Sequence, residues 1–149
     1  MGTDPNAIVI TPNGKTVYVS NLNSFNITPI RTATNRALRP VFIGHNPFAL
    51  AVTPDGKTVY ADSGDRVTPI RTATNTARRA IRVGPGFSFA MAVTPDGKTV
   101  YVLKVHTVIP IRIGVPLNKA GKPIKVGTFP EVIAITPALA DYCLPCVAP

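Results

Sequence analysis

The sequence has no tryptophan and only two cysteines, two histidines and two methionines in 149 residues, with seven acidic residues against sixteen Lys and Arg. Each shortage removes a class of protein. Cys143 and Cys146 stand together near the end and cannot frame a disulfide-stapled domain. As a Cys-x-x-Cys pair they lack both the strand-to-helix setting of a redox centre and the further donors of a zinc site, and read as a local disulfide or unpaired tail thiols. Asp55 and Asp96 belong to turns, so the remaining carboxylates, Asp4, Asp62, Asp65, Glu131 and Asp141, offer no spaced pair for acid and base work. His45 and His106 have no carboxylate third ligand. No catalytic residue, metal site or cofactor is predicted. No apolar run is long enough to span a bilayer, and Met1 leads into a polar turn without the basic and apolar regions of a leader, which leaves the compartment open.

What the sequence has in quantity is punctuation, with sixteen prolines and eleven glycines. Thr-Pro-Asp-Gly-Lys-Thr-Val-Tyr stands at 53–60, returns at 94–101, and occurs at 11–18 with Asn13 for the aspartate. A catalytic motif is needed once, whereas a unit that stacks on its own copies needs its turn chemistry in each. The Thr-Pro pairs at 11, 53, 94 and 136 are 42, 41 and 42 residues apart, a period shared by four-stranded propeller blades and two-helix repeats. Turn residues every ten or so positions, with Val, Ile, Thr and Tyr between them, favour strands.

One period reads as Ala49–Thr53, Thr58–Ala61, Arg66–Arg71 and Ala77–Val83. The eight-residue motif is the hairpin between the first two strands: proline presets φ, Asp bonds back to the backbone and Gly takes the positive φ. Thr-Pro-Ile-Arg-Thr-Ala-Thr-Asn at 28–35 and 68–75 ends the third strand and turns into the fourth, with Asn35 and Asn75 suited to a left-handed conformation. First strands place Ile8 and Ile10, Leu50 and Val52, and Met91 and Val93 on one face, with small alanines mostly on the other, as a strand covered on both sides requires. Fourth strands carry Arg36, Arg39, Arg78, Arg79, Arg82, Lys119, Lys122 and Lys125, charge that guards an outer edge against pairing.

The phrases Ala-Val-Thr-Pro-Asp-Gly-Lys-Thr-Val-Tyr-Val at 92–102, Thr-Ala-Thr-Asn-Thr-Ala at 72–77 and Val-Gly-Thr-Phe-Pro-Glu-Val-Ile-Ala-Ile-Thr-Pro at 126–137 resemble the YVTN family of β-propeller repeats, over nearly all of the chain up to about Pro137. The resemblance implies a seven-bladed propeller, commonly secreted or at the cell surface, engaged in surface interactions and only occasionally enzymatic. The chain departs from the pattern with Thr-Pro-Ile-Arg where the family runs Val-Ile-Asp. Pro29, Pro69 and Pro110 then fall inside third strands, where each removes a ladder donor and predicts a local bulge or gap in pairing.

The expected fold is all-β: propeller-type repeats of four-stranded antiparallel blades, about three blades plus one strand, in an open or partial propeller. The blades are expected at about 5–44, 47–84 and 88–127, with the first strand of a fourth at 131–137 and a divergent tail at 138–149. Seven blades at this period would need roughly 290 residues, and closed propellers have at least about four blades. Met1 also stands where the repeat has Val126, and the residues after Pro137 leave the motif, so a fragment of a longer propeller is the expected status, with a self-completing dimer as its rival.

The function this predicts is a non-enzymatic scaffold that binds a protein, or a second copy through its exposed blade faces, by way of loops at Gly44–Phe48, Gly84–Phe89 and Gly127–Glu131. Candidate ligand-binding positions on these loops and in the channel are Asn6, His45, Phe48, Phe89, His106 and Glu131. A net charge of +9 raises an anionic-surface or nucleic-acid alternative, with Arg31, Arg71 and Arg112 as a stripe recurring once per blade. Because the charge follows the repeat instead of gathering in one groove, nucleic acid is the less favoured partner. A lactonase-like or quinoprotein-like enzyme would require converging acidic, histidine or cofactor-binding residues in the channel.

Overall fold

Residues 2–114 and 118–135 are described by a computed structural model of the chain. Strands β1 (Pro5–Ile10), β2 (Thr16–Asn21) and β3 (Asn26–Arg31) form an antiparallel ladder continued by two short outer pieces, β4 (Arg36–Ala37) and β5 (Val41–Phe42), which both pair with β3. The second sheet repeats this with β6 (Ala49–Val52), β7 (Thr58–Asp62), β8 (Arg66–Arg71), β9 (Thr76–Ala77) and β10 (Ile81–Arg82). The third uses β11 (Ser88–Val93), β12 (Thr99–Lys104), β13 (Thr107–Arg112), β14 (Lys119–Ala120) and β15 (Ile124–Lys125). Among the described residues no helix forms. The all-β expectation and the antiparallel blades therefore hold, while residues 131–135, expected to open a fourth blade, are in no strand. Positions 136–149, with Cys143 and Cys146, lie outside the described residues.

The hairpin motif is built as its residues dictate. Thr53 Oγ1 accepts the Thr58 amide at 3.1 Å and donates to Asp55 Oδ1 at 2.6 Å, and that oxygen also accepts the Lys57 amide at 3.0 Å. Thr11 with Asn13, and Thr94 with Asp96, repeat the arrangement. Gly14, Gly56 and Gly97 each take φ of 68°, which a side chain would strain. Asn35 and Asn75, at φ of 50° and 49°, are left-handed as expected.

The fourth strand needs correction, because it is two pieces in every blade rather than one continuous strand such as Ala77–Val83. The third-strand prolines are the cause. Pro29 pairs with Tyr18 in unbroken β2–β3 register, so its carbonyl and its missing N–H both face the outer strand. The Leu38 amide bonds to Pro29 O at 2.8 Å, yet Pro29 can return no donor. Pairing lapses until Val41 meets Ile27: Thr28 and Pro29 on β3 stand against Leu38, Arg39 and Pro40, one extra residue on the outer side. Pro69 with Arg78, and Pro110 with Gly121, do the same. The bulge lies in the partner of the proline strand.

Sheets pack face to face, with β1 beside β6 and β6 beside β11. Tyr18, Ile27 and Val41 of the first blade close on Leu50, Val59, Ala61 and Ile70 of the second. Tyr60, Val67, Ile81 and Val83 of the second blade then close on Val100, Val102, Ile109 and Ile111 of the third. A tyrosine–asparagine bond crosses each joint: Tyr18 Oη donates to Asn75 Oδ1 at 2.7 Å, and Asn118 Nδ2 donates to Tyr60 Oη at 3.4 Å. Among the described residues the outermost faces have no such cover: Ile8 is 68% and Ile10 53% exposed on one, and Ile124 51% and Val126 38% on the other.

Candidate functional site

Two loop sets share one end of the blades. The β2–β3 type turns are tied to the linkers leaving each blade: Ile43 N bonds to Phe25 O at 2.9 Å, Val83 N to Asp65 O at 2.9 Å, and Val126 N to His106 O at 3.0 Å. The hairpin motifs and the third-to-fourth turns gather at the opposite end, where Thr32 N reaches Lys15 O and Thr72 N reaches Lys57 O, both at 3.1 Å. The linker end carries the aromatics. Phe25, Phe87, Phe89 and Phe129 are all exposed, Phe87 and Phe129 at 69% each. Phe25 and Phe129 hold left-handed backbones, φ 52° and 54°, an uncommon and strained state for bulky residues.

Of the sequence-predicted positions, Asn6 and Phe48 meet: Asn6 Nδ2 donates to Phe48 O at 2.5 Å, linking the first blade to the start of the second. The Phe48 ring stands edge to face with Phe87, centroids 6.2 Å apart. His106 packs edge to face on Phe129 at 5.9 Å. Phe89 is the extra residue where β11 shifts register between Ser88 and Ala90, and is 42% exposed. His45 is a half-buried linker residue and Glu131 an exposed one. Beside the larger effect of Arg66, His45 lies near enough to Asp65 to help hold that carboxyl low, but among the described residues no three His, Cys, Asp or Glu side chains are placed to hold a metal ion. Arg31, Arg71 and Arg112 lie exposed at the ends of third strands, at the hairpin end, away from the phenylalanines.

Sequence reasoning missed a buried polar cluster beneath the linker surface. Asp62, at the end of β7, is fully buried, and its Oδ2 has no hydrogen-bond partner among the described residues, nor has Ser63 Oγ. Burial pushes the carboxyl up to about 6; the Ser88 hydroxyl and the Gly64 amide, 3.3 Å from Oδ1, pull it back only in part. Lys104, 5% exposed, donates from Nζ to Gly64 O and Gly84 O at 2.6 Å each and to Pro85 O at 3.3 Å. Burial lowers its pKa, with the Asp62 and Asp65 charges opposing. This ammonium ties the second blade's turn to the linker of residues 84–88, and a Cβ on Gly64 would stand 3.2 Å from Gly86 O. Ser20, Asp62 and Leu103 occupy one repeat position, so a signal existed in the charge that this position carries in the second copy and not in the first or third.

The hairpin end is cationic and crowded. Arg31 pairs across β3–β4 with Arg36, and Arg112 across β13–β14 with Lys119, like charges that repel when directly opposed. Arg112, Lys119 and Lys122 line a hollow of about 350 Å³ with Pro110, Ala120 and Gly121.

No family model matches the sequence, and no curated protein matches it. Solved structures do match. The fold is similar to Kuenenia stuttgartiensis hydrazine synthase, with a TM-score of 0.79 and 26% identity over 87% of this chain and 38% of that one. The WD40 repeats of RRP9 give 0.75 and 11% identity over 85% and 40%, and a putative 6-phosphogluconolactonase from Bacteroides uniformis gives 0.75 and 18% over 92% and 49%. These likenesses, with the three antiparallel sheets, establish a β-propeller-type fold. The chain spans between 38% and 49% of the lengths of these structures.

Proposed function

We propose that this chain forms part of a non-enzymatic β-propeller interaction module of the YVTN repeat kind, and that it binds a protein partner through the linker end. The observation that carries this reading is the exposed aromatic set Phe25, Phe87, Phe89 and Phe129, on turns, linkers and the β11 bulge that three packed blades hold at one end. Exposed aromatic side chains on a rigid support are the common anchors of protein interfaces, because they offer large contact area with few rotors to freeze. Strain at Phe25 and Phe129, both exposed, agrees with rings held out for contact. The YVTN assignment is supported by the thrice-written hairpin motif.

The test is affinity capture with the chain and its Phe87→Ala/Phe129→Ala variant, followed by calorimetry on the purified captured protein. Binding that falls by tenfold or more in the variant supports the reading; undiminished binding refutes it. A second reading is favoured by the opposed cations Arg31 with Arg36 and Arg112 with Lys119: an anion at the hairpin end would relieve their repulsion. A salt series with heparin, DNA and a neutral polymer tests it. Heparin binding that weakens with salt and is lost in Arg112→Ala/Lys119→Ala supports it, and salt-insensitive or absent binding removes it.

A further inference from the structure

The two open faces are mates. In the internal joints, the leading face of a blade is a set of first-, second- and third-strand residues: Leu50, Val59, Ala61 and Ile70 in the second blade, and Met91, Val100, Val102 and Ile111 in the third. The same repeat positions in the first blade are Ile8, Val17, Val19 and Ile30, and among the described residues no blade packs on them. The trailing face is equally regular. Tyr18, Ile27, Val41 and Ile43 serve the first joint, and Tyr60, Val67, Ile81 and Val83 the second, whereas Tyr101, Val108, Ile124 and Val126 of the third blade face no further sheet among the described residues.

A polar latch marks the same incompleteness independently. Tyr18 and Tyr60 are each 1% exposed and bonded to Asn75 and Asn118, which stand at the repeat position of Asn35. Tyr101, the third tyrosine, and Asn35, the third asparagine, have no such bond among the described residues, yet Asn35 already holds φ of 50°, matching 49° at Asn75. One unused tyrosine is left on the trailing face and one unused asparagine on the leading face. They cannot meet within one copy, because each belongs to an opposite end of the stack.

We infer that two copies of this chain join head to tail into a six-bladed ring, the trailing face of each third blade packing on the leading face of the other copy's first blade, with Tyr101 bonded to Asn35 of the second copy across both seams. Blade number selects two copies. Propellers close with about 4 to 8 blades; the described residues of one copy supply three sheets, which is too few, and three copies would supply nine, which is too many. Such a heterologous joint forms a closed ring only when its rotation closes, and the rotation here is the one the two internal joints already use. Residues 131–135, which follow in the phase of a next innermost strand, form no strand and leave Ile124 and Val126 exposed. In the ring, β1 of the second copy takes that place.

The test uses light scattering on the full chain and on two charge variants at exposed seam positions, Ile8→Glu on the leading face and Ile124→Glu on the trailing face, with circular dichroism to verify folding. Wild type is expected at twice the 15.8 kDa chain mass, and each variant alone at the mass of one copy, since every seam then carries one glutamate. Mixing the two variants restores a dimer, because one seam of the mixed pair is unaltered. Each variant loses the bond at both seams, so Tyr101→Phe and Asn35→Ala weaken dimerisation by about 5- to 150-fold in Kd each, and the double variant no further than the more weakened of the two. A monomeric or polymeric wild type overturns the inference. So does a variant pair that stays monomeric on mixing, or an Ile124→Glu chain that still dimerises, which would mean leading face against leading face.

Discussion

Asp62 offers the sharpest test of how this fold is held. Burial moves its carboxyl from an ordinary 3.8 to about 6, so between pH 4 and 6 the folded chain keeps a proton that the unfolded chain has given up. The stability tied to that proton is complete below the unfolded value and is lost as pH rises through about 6, a loss of roughly 3 kcal/mol. Asp62→Asn keeps the shape and removes the charge. It should match wild type to within about 1 kcal/mol at pH 4 and exceed it by up to roughly 3 kcal/mol at pH 8, or about 6–12 °C in Tm at this chain length. The Lys104 ammonium loses one attraction in the variant but keeps the carbonyls of Gly64, Gly84 and Pro85, which limits the offset. Asp55, Asp65 and Asp96 are pushed the other way, by Thr53, Arg66 and Thr94 respectively. What they contribute is present above the ordinary carboxyl value and lost only as pH falls below it, outside this window. Urea unfolding of both chains at pH 4, 5, 6, 7 and 8 gives the difference directly. A difference that does not change with pH, or an Asn variant less stable at pH 8, refutes the reasoning and means that an ionised Asp62 is held by Lys104.

Asn75→Ala removes the Tyr18 acceptor and strains a left-handed residue, and urea unfolding should register a loss of about 2 kcal/mol, with Asn75→Gly recovering the backbone share of it. Thr53→Val deletes the acceptor of the Thr58 amide; a loss of about 1–2 kcal/mol and faster hydrogen exchange at Thr58 are expected, and an unchanged exchange rate would show that the hairpin does not depend on this hydroxyl. Phe129→Gly frees a left-handed backbone while removing a ring that is 69% exposed, so the melting temperature should rise by the equivalent of about 1 kcal/mol; a fall would mean that the ring's contact with His106 outweighs the strain.

Much of the fold was legible because its determinants are local. Thr, Asp or Asn, Gly and Lys of the hairpin bond to one another within five residues, so the motif can be read without knowing what packs on it. Asn35 and Asn75 declare their backbone by residue type alone. The outer strands were legible only in part. Pro29, Pro69 and Pro110 announced a missing donor, but which neighbour loses it depends on the side to which the third strand turns its N–H groups, a property of register. Each proline sits against a central-strand residue without a shift, so the disruption passes to the outer strand and divides it.

The buried cluster was illegible for a different reason. At the end of the second strand, Asn21 finds its partners within its own blade, donating to Asn26 Oδ1 at 2.8 Å and Thr28 Oγ1 at 2.9 Å. Asp62, one position earlier in the repeat, where the other copies have Ser20 and Leu103, pairs with Val67 beside Arg66, a neighbour that composition alone would favour for a salt bridge. Arg66 instead forks onto Asp65, with Nη2 to Oδ2 at 2.7 Å and Nε to Oδ1 at 2.9 Å, and Asp62 is left to burial and to a lysine from the next blade. Sequence spacing ranks neighbours along one strand pair, whereas this contact crosses a blade joint 40 residues away in the chain, from Lys104 to Gly64. The repeat supplies what spacing cannot. Positions that recur unchanged, such as Thr53, Gly56 and Tyr60, serve the scaffold; positions that change, such as Ser20 to Asp62 to Leu103 and the linkers after Gly44 and Gly84, are where one blade's chemistry is made to differ from the next.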